Sequence, residues 1–313
     1  KLLTVEKLNI SYGSEPVDAE ISFSLKRGEI LSVVGESGCG KTTLLKAQLG
    51  LPDFGACVTG GHITFDGAEL AALDERSRKK LLGDRIGMIF QDPGAAFNPI
   101  RSYKKQLAEM LKSHGRFSRE DSYKDVLECF EKLGLPDGKR ILDSCPYEMS
   151  GGMNQRISIA AAMLLKPELL LLDEPTSALD VTTQKTVVEE LLKLRDLTGT
   201  AMIIVTHNLG IAAKMADVTG VMYAGRIVEY GVTRKVLNSP VHPYTKSLVA
   251  AIPTIDGGVP TGLEGQPPLC VETLDVCPFR DRCPVRNERC QGRKHELTAG
   301  SNGHYSSCWE GML

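Results

Sequence analysis

Residues 35–43 read Gly-Glu-Ser-Gly-Cys-Gly-Lys-Thr-Thr, and no other segment constrains this chain as strongly. Gly35, Gly40, Lys41 and Thr42 stand at the G-x-x-x-x-G-K-[ST] spacing of a phosphate-binding loop. The apolar run Ile30–Val34 ahead of the loop reads as a buried strand, and Thr42–Leu49 behind it reads as a helix. That strand–loop–helix order is the setting such a loop requires, and it implies an α/β architecture. Glycines let backbone N–H groups turn toward an anion, and the helix N-terminus adds partial positive charge. The stretch Gly35, Ser37, Gly38, Cys39, Gly40, Lys41, Thr42 and Thr43 is therefore expected to wrap the phosphates of a nucleotide. Lys41 is expected to reach the β- and γ-phosphates, and the Thr42 hydroxyl to sit on Mg²⁺.

At 313 residues the chain is long enough for two or three lobes around at least one substantial core. Its net charge of −2 and the absence of a basic stripe give nucleic-acid binding no electrostatic support. The greasiest stretch, Ile157–Leu172, is interrupted by Lys166, Pro167 and Glu168, far short of the ~18–20 apolar residues of a membrane span. Lys1-Leu2-Leu3-Thr4 leads straight into strand-like sequence, so a signal peptide is not expected and the chain reads as cytosolic. Any service to a membrane would be as a peripheral subunit.

Leu3–Ile10 and Ile21–Leu25 read as short strands, and His62–Phe65 runs into an Asp66-Gly67 hairpin turn. Gln106–Lys112 and Ser122–Leu133 show helical spacing with mixed charge, as in an inserted helical lobe. Leu169–Leu172 and Met202–Val205 are continuous apolar runs suited to central parallel strands. Val218–Tyr223, Ala224-Gly225 and Arg226–Tyr230 read as a second hairpin. Beyond about residue 252 the composition shifts to Pro, Gly and Cys, with too little apolar patterning for a separate hydrophobic core, so a metal staple is expected there.

Asp173 closes the strand of four leucines, where a carboxylate can hold Mg²⁺, and Glu174 beside it is the candidate general base for an attacking water. Ser150, Gly151 and Gly152 open a helix whose face is marked by Ile157, Ala160, Ala161 and Leu164. This is a second phosphate-binding platform. One nucleotide does not need two, so its expected use is to complete the site of another subunit.

The order phosphate loop, Gln91, Ser-Gly-Gly, Asp-Glu, Ser177-Ala178-Leu179-Asp180 and His207 resembles the nucleotide-binding subunit of ABC transporters. The resemblance implies an α/β, P-loop ABC-type ATPase core with an antiparallel β subdomain, an inserted α-helical subdomain and a Cys-rich C-terminal extension. The core would comprise residues 1–90 and 155–235, the helical subdomain with the signature motif 91–154, and the extension 236–313. It implies that ATP and Mg²⁺ are bound, with Gln91 touching Mg²⁺ and sensing the membrane subunit. It also implies that Tyr12 stacks on adenine, His207 contacts the γ-phosphate, and Asp180 joins Ser150, Gly151 and Gly152 in reaching ATP across a dimer. Lys41, Glu174 and His207 would be the catalytic set. Met149 and Met153 depart from the commonest signature, Leu-Ser-Gly-Gly-Gln, toward the Ser-Gly-Gly-Met form of peptide and nickel importers.

Gln91–Ile100 and Pro240–Pro253 are similar to the extended Q-loop and the post-core segment of oligopeptide and dipeptide importers. Cys277, Cys283, Cys290 and Cys308 lie in the pattern Cys-x5-Cys-x6-Cys-x17-Cys, without the paired Cys-x-x-Cys knuckles usual for structural zinc. From spacing, an iron–sulfur cluster and Zn²⁺ both stay open, and the resemblance implies a 4Fe–4S cluster on these four thiolates. Cys270 reads as an outlier free of the cluster, and His304 as a solvated histidine, with a metal ligand as the alternative. The tail is expected to be a unit apart from the ATP site, contacting a second ATPase subunit.

The implied assembly is a second, homologous but different ATPase chain, two transmembrane permease subunits and an extracytoplasmic substrate-binding protein, at the cytoplasmic face of the membrane. The implied cargo is oligopeptide or dipeptide, with nickel or a metal chelate as the alternative. A soluble ABC-type ATPase acting on nucleic acid or ribosomes is the lower-ranked reading, since the chain has one core and no long heptads.

Overall fold

A computed structural model of the chain describes residues 1–50, 56–92, 96–118, 121–252, 263–268, 276–290, 296–300 and 303–308. The chain packs as two compact units, Lys1–Ala72 with Val205–Leu313, and Leu73–Ile204.

The first unit opens with two long strands, β1 (Leu3–Tyr12) and β2 (Glu15–Leu25). The buried β3 (Ile30–Val34) follows, then α1 (Lys41–Gln48), β4 (Ala56–Phe65) and β5 (Ala68–Glu69). β2, β1, β4 and β5 form an antiparallel sheet in that order. Its core face is Leu3, Val5, Leu8, Ile10, Ile21, Phe23, Leu25 and Phe65, all buried. The β4–β5 turn holds Asp66 at φ 49° and Gly67 at φ 83°, the double left-handed geometry that suits Asp-Gly.

The second unit contains α2 (Glu75–Leu81), β6 (Ile86–Ile89), α3 (Tyr103–Ser113), α4 (Asp121–Lys132), α5 (Gly138–Asp143) and α6 (Gly151–Leu164). It is completed by β7 (Leu169–Asp173) and α7 (Val181–Thr198). β6 and β7 pair in parallel, and every residue of β7 is buried, as its unbroken leucines require of a strand covered on both faces. Arg85 and Glu168 form a two-pronged ion pair just ahead of these strands.

β8 (Ala201–Thr206), also buried throughout, carries the chain back to the first unit. There α8 (Leu209–Met215), β9 (Val218–Tyr223) and β10 (Arg226–Val232) follow, then α9 (Thr233–Asn238) and α10 (Pro243–Ala250). β9 lies parallel to β3 and antiparallel to β10 across an Ala224-Gly225 turn, with φ 45° and 74°. The short strands β11 (Thr298–Ala299) and β12 (Tyr305–Ser306) come from the C-terminal extension, and β12 pairs with β10.

The extension is therefore not a unit apart from the core of its own ATPase unit. Phe279 is fully buried in one hydrophobic cluster with Val34, Val221, Tyr223 and Tyr244, and Cys277 and Cys283 pack against the same cluster. The low apolar content of the tail was misleading because a single aromatic ring suffices when the core it enters already exists. His304 is likewise not solvated. It is buried, and its Nε2 bonds Glu229 Oε1 at 2.6 Å. Glu229 also accepts the backbone N–H groups of Val241 at 2.8 Å and His242 at 2.9 Å. One buried carboxylate thus ties the beginning of the extension to its end. Cys270 lies outside the described residues.

Candidate functional site: a phosphate loop and its supports

The loop after β3 has the close approaches that explain its glycines. A Cβ on Gly35 would meet the Met222 carbonyl oxygen at 2.2 Å, and one on Gly40 would meet Asp18 Oδ1 at 2.0 Å. Gly40 also caps α1 at φ 102°, a left-handed conformation open to glycine. Lys41 is buried at the first position of α1. Its ammonium donates to the carbonyl oxygens of Gly35 at 3.0 Å and Glu36 at 2.7 Å. Thr42 and Thr43 follow in the first turn, half-buried, while Ser37 and Gly38 at the crest are exposed. Cys39 sits beneath, and burial pushes its thiol pKa up.

Asp18 of β2 lies directly under the loop. It is 1% exposed, and neither carboxylate oxygen has a hydrogen-bond partner among the described residues. Burial drives its pKa well above the ordinary 3.8.

Tyr12 ends β1, paired with Glu15 and Ala56, and is half-buried. His207 stands exposed immediately after β8. The Asn208 side chain caps α8 by accepting the N–H groups of Gly210 and Ile211, which fixes the turn that carries His207. Tyr12, the phosphate loop and His207 all belong to the first unit.

Gln91, Ser150, Gly151, Gly152, Asp173, Glu174 and Asp180 belong to the second unit. Asp173 is the last residue of β7 and is 2% exposed. Glu174, half-buried, has φ 45°, a left-handed conformation that side-chain-bearing residues adopt rarely and that concentrates at functional positions. The Ser177 hydroxyl and N–H both donate to the Glu174 carbonyl, at 3.1 and 3.2 Å, so the following turn braces this residue. Asp180 caps α7, its Oδ1 accepting from Thr182 N–H at 3.1 Å and Thr183 N–H at 3.0 Å. Those hydrogen bonds, led by the Thr183 side chain, hold its pKa below the usual carboxylate value. Ser150 caps α6 by accepting Met153 N–H at 3.3 Å. A Cβ on Gly152 would lie 3.3 Å from the Ala178 carbonyl oxygen. Ser150, Gly151 and Gln91 are exposed.

Among the described residues, no group of three or more His, Cys, Asp or Glu is arranged to hold a metal ion. Neither the 4Fe–4S cluster expected on Cys277, Cys283, Cys290 and Cys308 nor its zinc alternative finds such a ready-made group there. The four thiols are nonetheless electrostatic neighbours. Burial pushes the Cys277 thiol up to about 11, and Cys308, Cys283 and Cys290 each push it further in the same direction.

Three contributors to this site have no role assigned from the sequence. Glu36 occupies an unspecified position of the loop pattern, yet its N–H donates to the Tyr244 hydroxyl at 2.9 Å. Its carboxylate takes both Nη atoms of Arg282, at 2.7 and 3.0 Å. Tyr244 and Arg282 stand out only as parts of the segments that resemble the peptide-importer extension, and Arg282 lies 246 residues from Glu36.

Comparison with known proteins agrees with this architecture. The family model described as ABC transporter matches residues 19–177, and that described as Oligopeptide/dipeptide transporter, C-terminal region, matches residues 228–290. The dipeptide transport ATP-binding protein DppD of Bacillus subtilis is 38% identical over 316 residues, covering 99% of this chain and 94% of its own length. The oligopeptide transport ATP-binding protein OppD of Salmonella typhimurium is 38% identical over 315 residues, covering 99% and 93%. Among solved structures, the dimeric post-hydrolysis state of the ATP-binding cassette MJ0796 with ADP and Pi superposes with a TM-score of 0.67 at 27% identity. That match covers 74% of this chain and 99% of MJ0796. No helix among the described residues is long and apolar enough to cross a membrane. With a phosphate loop built on β3 and α1, and relatives matched along almost its whole length, the chain belongs to the ABC transporter ATP-binding subunits, in the oligopeptide/dipeptide branch.

Proposed function

We propose that this chain hydrolyses ATP to energise import of oligopeptides or dipeptides, working with a second, homologous ATPase chain, two permease subunits and an extracytoplasmic binding protein. The observation that carries the reading is the phosphate loop with Lys41 held at its mouth, in a chain whose C-terminal segment matches the peptide-transporter extension. Lys41 and the loop N–H groups bind the phosphates, and Thr42, Asp173 and Gln91 hold Mg²⁺. Tyr12 stacks on the adenine. Glu174 takes a proton from the attacking water as the new P–O bond forms and the bond to the β-phosphate oxygen breaks, and His207 contacts the γ-phosphate. The exposed Ser150 and Gly151, with Gly152 and Asp180, complete the site of the partner, so that ATP bridges the two subunits. Gln91 couples the site to the permease.

In the same reading, Cys277, Cys283, Cys290 and Cys308 of the extension would hold a 4Fe–4S cluster. What supports this reading is four cysteines in one short extension, with Cys283, Cys290 and Cys308 close enough to Cys277 to act on its thiol, one thiolate being available for each iron. Bound there, it would supply a structural cross-link.

The test is Glu174→Gln in the assembled transporter. The amide cannot accept the proton, so ATP binding stays while turnover falls by about 10²–10⁴-fold. Turnover at the normal rate would remove Glu174 from the role of base. Iron and zinc analysis of anaerobically purified protein tests the cluster. About four irons per chain supports it, and zinc without iron refutes it.

A further inference from the structure

Glu36 is gripped from three sides. Its carboxylate accepts Arg282 Nη1 at 2.7 Å and Nη2 at 3.0 Å. Its N–H donates to the Tyr244 hydroxyl at 2.9 Å, and its carbonyl oxygen accepts the Lys41 ammonium at 2.7 Å. The residue that presents a carbonyl to Lys41 is thus itself fixed by two residues from beyond the sheet. Arg282 is equally constrained. Its guanidinium carbon lies 5.7 Å from the Tyr223 ring centre, Nη1 donates to the Tyr223 hydroxyl at 3.2 Å, and Nε donates to the Glu264 carbonyl at 2.9 Å. Its side chain is only 7% exposed. The turn that carries it is anchored by the buried Phe279, whose ring meets Tyr223 and Tyr244 at centroid distances of 5.3 and 5.4 Å.

From this arrangement we infer that Arg282, one residue before Cys283, is a positioning residue for the phosphate loop. It acts through Glu36 on Lys41, so that the cysteine-bearing segment sets the affinity of the loop for nucleotide. The physical case is pre-organisation. A planar guanidinium gripping a carboxylate with two parallel bonds fixes direction as well as distance, which a single point charge does not. Tyr244 supplies a second restraint, on the Glu36 backbone N–H, and both restraints share the aromatic cluster around Phe279. A loop held in its binding geometry before nucleotide arrives loses less freedom on binding. Releasing Glu36 leaves the loop to sample other arrangements, and the apparent affinity falls by the fraction of time it spends in them. This inference goes beyond the proposed function but rests on its assignment of the phosphate loop as the ATP site.

The experiment uses the full chain and MgATP as the probe, with dissociation constants from calorimetry and unfolding midpoints recorded without nucleotide. Arg282→Gln and Glu36→Gln are each expected to weaken MgATP binding about five- to tenfold, the lower end of usual coupling strengths. The double variant should bind no more weakly than either single one, because both remove the same link. Arg282→Lys should recover only part of the loss, having one point charge in place of a fork. The nucleotide-free midpoints report the separate cost of leaving a largely buried charge unpaired, and affinities are compared well below the lowest midpoint. Parent-like affinity in both single variants, or losses that add in the double variant, would overturn the inference. Should Arg282→Gln fail to fold, Glu36→Gln, on the more exposed side of the pair, carries the same test. Lys41→Ala separates the two claims. If it too binds MgATP normally, the ATP-site assignment has failed. If it loses binding while Glu36→Gln and Arg282→Gln do not, only the positioning role has failed.

Discussion

Phe279→Ala tests whether the extension is a structural part of the ATPase unit. The ring is fully buried, with centroids 5.3 Å from Tyr223, 5.4 Å from Tyr244 and 5.9 Å from His242. Truncating a buried Phe to Ala removes its transfer free energy and leaves a cavity, together about 3–5 kcal/mol. Edge-on aromatic pairs add about 0.5–1.5 kcal/mol each. One edge-on ring, Tyr223, and two tilted ones, Tyr244 and His242, place the expected loss in the upper part of the range, about 5 kcal/mol. The loss should be felt by the ATPase unit itself, because Tyr223 ends β9 and Tyr244 lies in α10. Urea unfolding of the full chain, followed by circular dichroism, measures it, and limited proteolysis reports whether the extension detaches. A loss under about 0.5 kcal/mol, within the range of ordinary surface substitutions, together with rapid proteolytic release of the extension, would refute the shared core.

Two further outcomes follow from buried groups and caps. Asp18 has its folded pKa raised above the ordinary 3.8, so it contributes stability below about pH 4 that is lost as pH rises through the folded value. Asp18→Asn should therefore gain about 1–3 kcal/mol at pH 7, with the gain shrinking toward zero as pH falls to about 4. Urea midpoints of both proteins from pH 4 to 8 check this, and a pH-independent difference would contradict it. Ser150→Ala removes the cap of α6 and should cost about 1 kcal/mol of stability. ATP-dependent dimerisation, followed by light scattering, should fall further than that cost explains, and an equal fall would confine Ser150 to capping.

Local spacing made the phosphate loop legible, because the loop is a local object. Gly40 at φ 102° and Lys41 at the start of α1 follow from which residue types can occupy consecutive positions of one turn. The same is true of the Ser150 cap, the leucine strand ending at Asp173, and the turns at Asp66-Gly67 and Ala224-Gly225. Each is settled by interactions across a few residues, which a sequence displays directly. The strained φ of Glu174 was not legible, since the turn from β7 into Ser177 decides it. The supports of the loop were not legible either. Glu36 and Arg282 fill unspecified positions in their own segments, and an isolated charge in a sequence reads as a solvated one. Only the tertiary fold brings a guanidinium to a carboxylate 246 positions away, with Arg282 beside Tyr223 so that the pair forms largely out of water. His304 shows the same division. Its neighbours in sequence are polar and suggest solvent, whereas pairing of β12 with β10 carries it onto Glu229. Residue types at short spacing encode the chemistry this chain can perform. Which distant residues hold that chemistry in place is decided by packing, because a contact between remote segments depends on every element that positions them.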